Sequence, residues 1–300
     1  MLDIARLRVL VAVAEHGSVT AAAKALHFAQ PSVSHHLARL QAETGVQLVT
    51  RVGRGIRLTP EGETLARRAA EIIGRVESAE AELAVLAGLR TGRVRVAAFQ
   101  SALSVWVPPA AAALRRRHPD LELRLTDAHP TMALRWLRDG EVDVAILFRY
   151  DDTVPDDEVR YDHIADDPMY LLSLRHGDTL TDHRDAAWIA GCEHCRRDFV
   201  DICETAGFTP NIAYSSDDII VDQALVAAGL GVTTMPGLAL RSYHTPGVQA
   251  TALAGHRRRI YVATYGDPPD PPATSAFVAA LRTAVTHDDV ARGSMAGGPT

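Results

Sequence analysis

Residues 18–58 constrain the fold of this chain most strongly, because their pattern predicts two short helices followed by a basic loop. Ser18 or Thr20 is expected to begin the first helix, since either hydroxyl can accept a hydrogen bond from the free amides of a first turn. Pro31 fits the first turn of the second helix, where a missing N–H leaves no hydrogen bond unmade. The second helix then has an apolar face at helical spacing, formed by Val33, Leu37 and Leu40.

The opposite face of this second helix carries hydrogen-bonding side chains and a cation. A helix that lies in the major groove of DNA needs donors and acceptors for base edges near its N-terminus and a positive charge for phosphate. A merely solvated helix face is the alternative interpretation. The residues predicted to contact DNA are Thr20 on the first helix and Gln30, Pro31, Ser32, Ser34, His35 and Arg39 on the second.

A glycine-hinged loop, the wing, follows the second helix and carries Arg51, Arg54 and Arg57. Such a loop suits contact with phosphates or with the minor groove, and a solvated hairpin is the alternative. Residues 1–60 hold seven basic and three acidic side chains, a charge of +4, although the whole chain has a charge of −6. The remaining residues therefore carry −10, which confines the attraction for phosphate to the N-terminal end.

Thr59-Pro60 is predicted to begin a long helix whose apolar residues recur in alternating steps of four and three. This spacing is typical of the seam of a two-helix coiled coil, which would join two copies of the chain for two half-sites on DNA. Packing of the helix on its own body is the alternative. The predicted seam residues are Leu65, Ala69, Ile72, Val76, Ala79, Leu83 and Leu86.

Beyond a short hinge at 88–92, the pattern changes to strands that alternate with helices. This rhythm predicts a parallel sheet that is covered on both faces. The last strand is expected at 259–265 and the last helix at 273–286. The Gly/Ser/Pro/Ala-rich tail at 288–300 is expected to be disordered.

The N-terminal residues form a specific pattern made up of Ala22-Ala23, Leu26, Gln30-Pro31-Ser32, Ser34, Leu40, Gly45, Leu48, Arg51 and Leu58-Thr59-Pro60-Glu61-Gly62. This pattern resembles the winged helix-turn-helix of LysR-type transcriptional regulators, and it is specific because many positions agree at the right spacing. Ala29 departs from the family, which usually has a serine or threonine cap there, and this should weaken the helix start by about 1 kcal/mol. His35 stands where arginine or glutamine is common, which puts the base preference at that position in question.

Leu137–Ile146 and Leu225–Val232 are the clearest local patterns of the C-terminal part. They resemble the effector domain of the same family, which has two α/β lobes related to periplasmic solute-binding proteins. The resemblance spans the chain to about residue 287 and implies a mixed α/β fold. The implied domains are a winged helix-turn-helix DNA-binding domain at 1–59, a coiled-coil dimerisation linker helix at 60–90 and an effector-binding domain at 91–287.

The resemblance also implies that the chain crosses between the lobes near 161–165 and again near 265–268. Lobe I is therefore expected to comprise about 91–161 and 266–287, and lobe II about 162–265. The effector is expected in the cleft between the lobes, because ligands of open α/β sheets bind at the carboxyl ends of the strands.

Three predicted strand-to-helix turns hold Ser101, Thr131 and Cys195, where free amides and the positive end of a helix dipole favour an anion. The predicted effector is a small molecule, with an anion or a carboxylate as the candidate class, and no other cofactor is predicted. Arg149 would pair with a carboxylate or, alternatively, with the acidic run at 151–157. The resemblance implies effector contacts at Gln100, Ser101, His129, Thr131, Phe148 and Arg149, to which we add Cys192, Cys195 and Thr233.

Cys192 and Cys195 form a Cys-x-x-Cys at a predicted helix N-terminus. Thiol pKa values can be lowered in such a place, so the pair can act as a redox or metal switch. Zinc is disfavoured because His194 adjoins Cys195, which makes shared ligation awkward, and no metal site is predicted. Two buried or pocket-lining thiols are the alternative.

The enzyme motifs GxSxG, GxGxxG and HExxH and the P-loop are missing from the sequence, so no catalytic residue is assigned. The competing class is a solute-binding or enzymatic α/β protein with an accessory helical domain. No signal peptide or membrane-spanning apolar run is visible, and three cysteines favour a reducing compartment, so a cytoplasmic location is expected. The resulting hypothesis is a LysR-type DNA-binding transcriptional regulator. It would bind promoter DNA as a homodimer or homotetramer and respond to an effector, with RNA polymerase as a candidate partner.

Overall fold

The structure, a computed structural model, describes residues 2–52, 55–86, 92–150, 158–191 and 193–296. These residues form a helical N-terminal head, one long helix and a C-terminal α/β domain. The head contains α1 (Ile4–His16), α2 (Val19–Ala25), α3 (Gln30–Thr44) and a hairpin of β1 (Val49–Val52) and β2 (Gly55–Leu58).

Side-chain caps and left-handed glycines set the ends of the helices in the head. Ser18 Oγ accepts a hydrogen bond at 3.1 Å from an amide of the first turn, so Ser18 rather than Thr20 begins α2. Ala29 precedes α3 and provides no side-chain cap, as predicted. Gly17 and Gly45 end α1 and α3 with φ angles of 66° and 70°, a conformation that favours glycine.

Hydrogen bonds to the side chain of Gln41 connect α3 to the start of the wing. Gln41 Oε1 accepts hydrogen bonds from the amides of Leu48 and Val49 at 2.9 and 3.2 Å. Thr59 Oγ1 accepts a hydrogen bond from the Gly62 amide at 3.0 Å and so caps the next helix. These contacts fix the hairpin beside α3 before the chain leaves the head.

The long helix α4 (Pro60–Leu86) has two different parts. Leu65 and Ala69 pack in the core of the head, and Ala69 has no accessible surface, so it is not available to a partner helix. Ile72 and Leu83 are instead 41% and 65% exposed. The predicted seam is therefore divided between the interior of the head and the surface of the molecule. Its other members are the half-buried Val76, the exposed Ala79, and Leu86, whose side chain lies outside the described residues.

The middle of α4 packs directly on the α/β domain. A Cβ on Gly74 would collide with a backbone carbonyl oxygen and lie 2.6 Å from Gly140 Cα, so two glycines let the backbones touch. Arg75 pairs with Glu158 and lies over the Tyr265 ring, 4.5 Å from its centroid. This turn of α4 therefore contacts the α/β domain of its own chain.

The α/β domain is built on one sheet of eight strands. The strands are β3 (Arg93–Ala98), β4 (Glu122–Asp127), β5 (Val144–Arg149), β6 (Val159–Ser173), β7 (Ala187–Ala190), β8 (Asn211–Ser215), β9 (Val232–Pro236) and β10 (Gln249–Tyr265). Their order in the sheet is β4-β3-β5-β10-β6-β9-β7-β8.

The helices of the α/β domain are α5 (Gln100–Val105), α6 (Val107–Arg117), α7 (Pro130–Arg138), α8 (Glu193–Thr205), α9 (Ile219–Ala227), α10 (Gly237–Ser242), α11 (Pro272–Ala296) and a 3-10 turn at Leu180–His183. None of the described helices is long and apolar enough to cross a membrane.

The two long strands, β6 and β10, connect the lobes. The predicted parallel pairing holds within each lobe, but β6 and β10 run antiparallel to their neighbours. Residues 259–263 pair with β5 in lobe I, whereas 249–252 pair with the part of β6 that lies in lobe II. The return crossing is therefore at 253–256, where the register shifts and Gly255 has a φ of 82°, and the predicted crossing at 265–268 is wrong. The first crossing lies in the middle of β6, whose second half pairs with β9, slightly beyond the predicted position.

The last helix runs further than predicted. Because α11 continues to Ala296, the expected disorder of 288–300 is wrong for residues up to 296, and 297–300 lie outside the described residues. Asp288 anchors this extension by accepting a hydrogen bond from Trp106 Nε1 at 2.7 Å and by pairing with Arg241.

Gly74→Ala tests the contact between α4 and the α/β domain. Alanine normally stabilises a helix interior by about 1 kcal/mol relative to glycine, but here the methyl group would meet backbone that cannot move aside. We expect the free energy of unfolding, measured by urea denaturation, to fall by about 1–3 kcal/mol. Gly55→Ala is the control, because its Cβ would meet only the Val52 carbonyl oxygen at 3.7 Å. A Gly74→Ala variant more stable than the wild type would contradict this packing.

Candidate functional site

The predicted DNA-contacting residues occupy one side of α3. All of those on α3 have exposed side chains, whereas the apolar side of the helix is buried in the head. Thr20 and Arg57 are also exposed, while Arg54 and the side chain of Arg51 lie outside the described residues. The helix therefore presents a polar face beside the wing, which is the geometry of groove-binding helices. The predicted contact residues that are exposed on α3 are Gln30, Pro31, Ser32, Ser34, His35 and Arg39.

A cavity of about 130 Å³ lies between the two lobes, where strands of both lobes end. It brings together most of the predicted effector contacts. Thr131 is exposed in the first turn of α7 and Arg149 ends β5, and neither lines the cavity. Cys192 lies outside the described residues. The predicted residues that line the cavity are Gln100, Ser101, His129, Phe148, Cys195 and Thr233.

The cation that lines this cavity is Arg258, which the sequence patterns did not reveal. Its side chain is 4% exposed, and its Nε donates to Asp167 Oδ2 at 2.9 Å. Its Nη2 donates to Ser101 Oγ at 2.9 Å. The guanidinium lies against two aromatic rings, 4.7 Å from the Phe99 centroid and 4.6 Å from that of Phe148. The positive charge of Arg258 is therefore compensated inside the protein.

Asp167 also links the ion pair to α10 and lies in the strand pairing of β6 with β10. Its side chain is 1% exposed, and its Oδ1 accepts a hydrogen bond from the Leu238 amide of α10 at 2.8 Å. Asp167 and Arg258 are also direct partners in the pairing of β6 with β10, the strands that cross between the lobes. The ion pair therefore forms the floor of the cleft at its hinge.

Asp222 on α9 is a second carboxyl group that the sequence analysis did not assign to the site. It is 8% exposed and lines the cavity, and its Oδ1 has no hydrogen-bond partner among the described residues. Burial raises the pKa of Asp222 to about 7, opposed by a hydrogen bond from Ser216 and assisted by the charges of Asp217 and Asp218. The cavity thus contains a carboxyl group that titrates near neutral pH.

A polar contact spans the mouth of the cleft. His129 Nε2 of lobe I lies 3.7 Å from Asp217 Oδ2 of lobe II, and both side chains are about half exposed. His129 immediately precedes α7, and Asp217 lies between β8 and α9. This pair is therefore placed to respond when the lobes move relative to each other.

The two cysteines of the described residues differ in burial. Cys195 is half-buried and lies against Tyr150, whose pKa is raised well above its usual value by burial and by the nearby thiol. Cys203 has no accessible surface, and burial raises its pKa to about 12, which makes it an unreactive thiol. In the part of the chain that the structure describes, no group of three or more His, Cys, Asp or Glu side chains could hold a metal ion.

Weak sequence signals existed for both residues that were missed. Arg258 shares a face of β10 with the buried Ile260 and Val262, two and four residues on. Asp222 precedes the buried Val226 by one helical turn. The signal for Arg258 is weak because Tyr261 and Ala263, on the face of Arg257 and Arg259, are buried as well, so alternation along β10 does not single out Arg258.

The exposed polar face of α3 and the cleft between the lobes are features of a DNA-binding protein that also has a ligand-binding domain. A family model described as "Bacterial regulatory helix-turn-helix protein, lysR family" matches residues 4–63, and one described as "LysR substrate binding domain" matches residues 87–286. The chain belongs to the LysR family of transcriptional regulators, which bind DNA and carry an effector-binding domain. The predicted family and the mixed α/β fold with an N-terminal helix-turn-helix are confirmed.

Relatives and solved structures are similar over most of the chain. YvbU, an uncharacterized HTH-type transcriptional regulator of Bacillus subtilis (strain 168), is 28% identical and covers 82% of this chain and 85% of its own length. A probable hydrogen peroxide-inducible genes activator of Mycobacterium avium is 32% identical and covers 78% of this chain and 77% of its own length. The crystal structure of full-length CbnR complexed with its target DNA matches with a TM-score of 0.65 and 22% identity, over 94% of this chain and 100% of that chain.

Asp167→Asn and Asp166→Asn form a matched pair that tests the buried ion pair. Asp167→Asn leaves Arg258 buried without a carboxylate, so we expect the free energy of unfolding to fall by about 3–5 kcal/mol. Asp166 pairs with Arg257 at 3.0 Å, but these side chains are 46% and 45% exposed, so Asp166→Asn should cost less than about 1 kcal/mol. Urea denaturation measures both losses. Equal losses would show that the buried ion pair contributes no more to the free energy of unfolding than the exposed one.

Asp222→Asn tests the titration of the buried carboxyl group. Because the folded-state pKa is raised above that of the unfolded chain, wild-type stability should fall as the pH rises from about 4 to 7. Asparagine cannot ionise, so we expect the variant to have a higher Tm than the wild type at about pH 8 and a smaller advantage at about pH 5. The exposed Asp185→Asn is the control. A Tm difference for Asp222→Asn that is the same at both pH values would contradict the assignment.

Proposed function

We propose that this regulator binds promoter DNA as a dimer or as a dimer of dimers and responds to a small-molecule effector between its two lobes. The observation that carries the proposal is the exposed polar face of α3, which lies beside a wing that contains the exposed Arg57. The basic charge of residues 1–60 supports contact with phosphate at this end of the chain.

The second part of α4 supports a dimer. Ile72 and Leu83 are large apolar side chains that remain exposed in one copy of the chain. A second copy of α4 would cover them and would hold two α3 helices for two half-sites on DNA. CbnR was crystallised with its target DNA, and its similar fold supports the same use of the head here by analogy.

Effector binding would reach the head through α7. His129, just before this helix, lines the cavity, and Gly140, just after it, packs on Gly74 of α4. Closure of the lobes on an effector would move α7 as a rigid element and shift α4 with it. In a dimer this shift would change the spacing of the two heads and hence the bend of the promoter.

Gel-shift titrations with the intergenic DNA beside the gene test the DNA-binding surface. We expect Gln30→Ala to weaken binding to the specific site by about 1–3 kcal/mol and to relax its sequence preference. Arg39→Ala should weaken binding to all sequences and reduce the salt dependence by about one unit of slope. Arg116→Ala, at an exposed arginine of the α/β domain, is the charge-matched control. A full-length protein without salt-dependent affinity for duplex DNA would contradict the proposal.

A redox-responsive regulator is the second candidate, supported by the half-buried Cys195 that lines the cavity. The name of the relative from Mycobacterium avium describes that protein as a probable activator of genes induced by hydrogen peroxide, and by analogy this supports a redox signal here. In this interpretation Cys192 and Cys195 would receive the signal in place of an organic effector. Counts of free thiols before and after mild peroxide treatment separate the candidates, since an unchanged count excludes the redox switch.

A further inference from the structure

The charge that the cavity leaves uncompensated is negative. Among the described residues that line it, Arg258 is the only arginine or lysine, and Asp167 already compensates its charge. Asp217 and Asp222 line the same cavity, and Asp217 faces His129 across the mouth. Asp222 is therefore the buried carboxyl group that is left for a ligand, and its ionised form has no cation beside it among the described lining residues.

Asp222 offers an acceptor atom that lacks a donor. Its Oδ1 is buried without a hydrogen-bond partner among the described residues. Buried polar atoms are nearly always hydrogen-bonded, and an unmade bond of this kind is unfavourable. A ligand that brings a donor into the cavity would remove this penalty.

We propose that the effector is a small organic ammonium ion whose N–H groups donate hydrogen bonds to Asp222 Oδ1. This inference rests on the proposed function, because it assigns a ligand class to the effector cleft. An ammonium group brings three donors and a charge opposite to those of Asp222 and Asp217. A carboxylate ligand would instead meet two like charges and a cation that is already paired. The proposed effector is thus a cation, whereas the helix N-termini alone suggest an anion.

The rest of the cavity limits the size and character of the ligand. Its volume of about 130 Å³ is well below the roughly 300–1,000 Å³ of pockets that take drug-sized ligands. Apolar side chains such as Ile189, Ile219 and Met235 contribute to the lining. A short alkyl chain attached to the ammonium group would bury against these side chains while its charged end meets Asp222.

Straight-chain ligands of matched length test the ligand class on the full-length protein. Propyl-, butyl-, pentyl- and hexylammonium are compared with the alcohol and the carboxylate of the same chain length, by thermal shift and by calorimetric titration. We expect the ammonium ions to raise the Tm and to bind, and the alcohols and carboxylates to have no effect. Asp222→Asn keeps the shape of the side chain without its charge and should weaken ammonium binding by roughly tenfold to hundredfold. Asp201→Asn, at an exposed aspartate of α8, should bind like the wild type.

Two results would overturn the ligand class: equal responses to the three kinds of ligand, or no response to any ammonium ion. An Asp222→Asn variant that binds ammonium ions like the wild type would overturn the role of Asp222. Circular dichroism checks that the Asp222→Asn variant folds. The comparison of the three ligand classes uses the wild-type protein and does not depend on this variant. Gel shifts without ligand separate this inference from the proposed function. A protein that binds DNA but does not prefer ammonium ions refutes only the ligand class, whereas one that binds no DNA refutes the proposed function.

Discussion

The buried ion pair between Arg258 and Asp167 organises the C-terminal domain. Both side chains are almost wholly removed from water, which is tolerable only when their remaining polar atoms are also bonded. Ser101 and the Leu238 amide supply such bonds, and the Phe99 ring lies against the guanidinium. Because the pair joins β6 and β10 where these strands pass between the lobes, it fixes the hinge of the cleft. The same pair also compensates the charge of Arg258, the cation that lines the cavity among the described residues, and this compensation is the basis of the proposed ligand class.

The helix α7 connects this cleft to the DNA-binding head. It spans Pro130–Arg138, roughly 14 Å at the rise of an α-helix, with His129 at the cavity and Gly140 against α4. Close packing makes such contacts stiff, because there is no free volume in which a small displacement can be absorbed. The approach of Gly140 to Gly74 is an extreme case, since neither residue has a side chain that could rotate aside. In the proposed mechanism, a movement at the cleft would therefore be passed to the helix that carries the head.

Sequence patterns predicted the features that depend on local chemistry and missed those that depend on distant partners. The start of α2 was predicted at Ser18 or Thr20, and the structure has it at Ser18, because a hydroxyl cap acts within one helical turn. The extension of α11 was not, because Asp288 finds its partners on other elements. Arg258 likewise belongs to a run of three arginines that suggests a solvated segment. Only the pairing of β10 with β6 brings Asp167 next to Arg258, and this contact makes the burial of the arginine favourable.

The division of charge along the chain bears on both ligands of the regulator. Residues 1–60 carry +4 and the remaining residues −10, so phosphates are attracted to the head and repelled by the α/β domain. A cationic effector would experience the opposite field, because the acidic domain attracts positive charge towards its cleft. DNA and effector would then approach different ends of the molecule without competing for one surface. An unpaired Arg258 would break this division by placing a positive charge in the cleft, and its neutralisation by Asp167 is what prevents that.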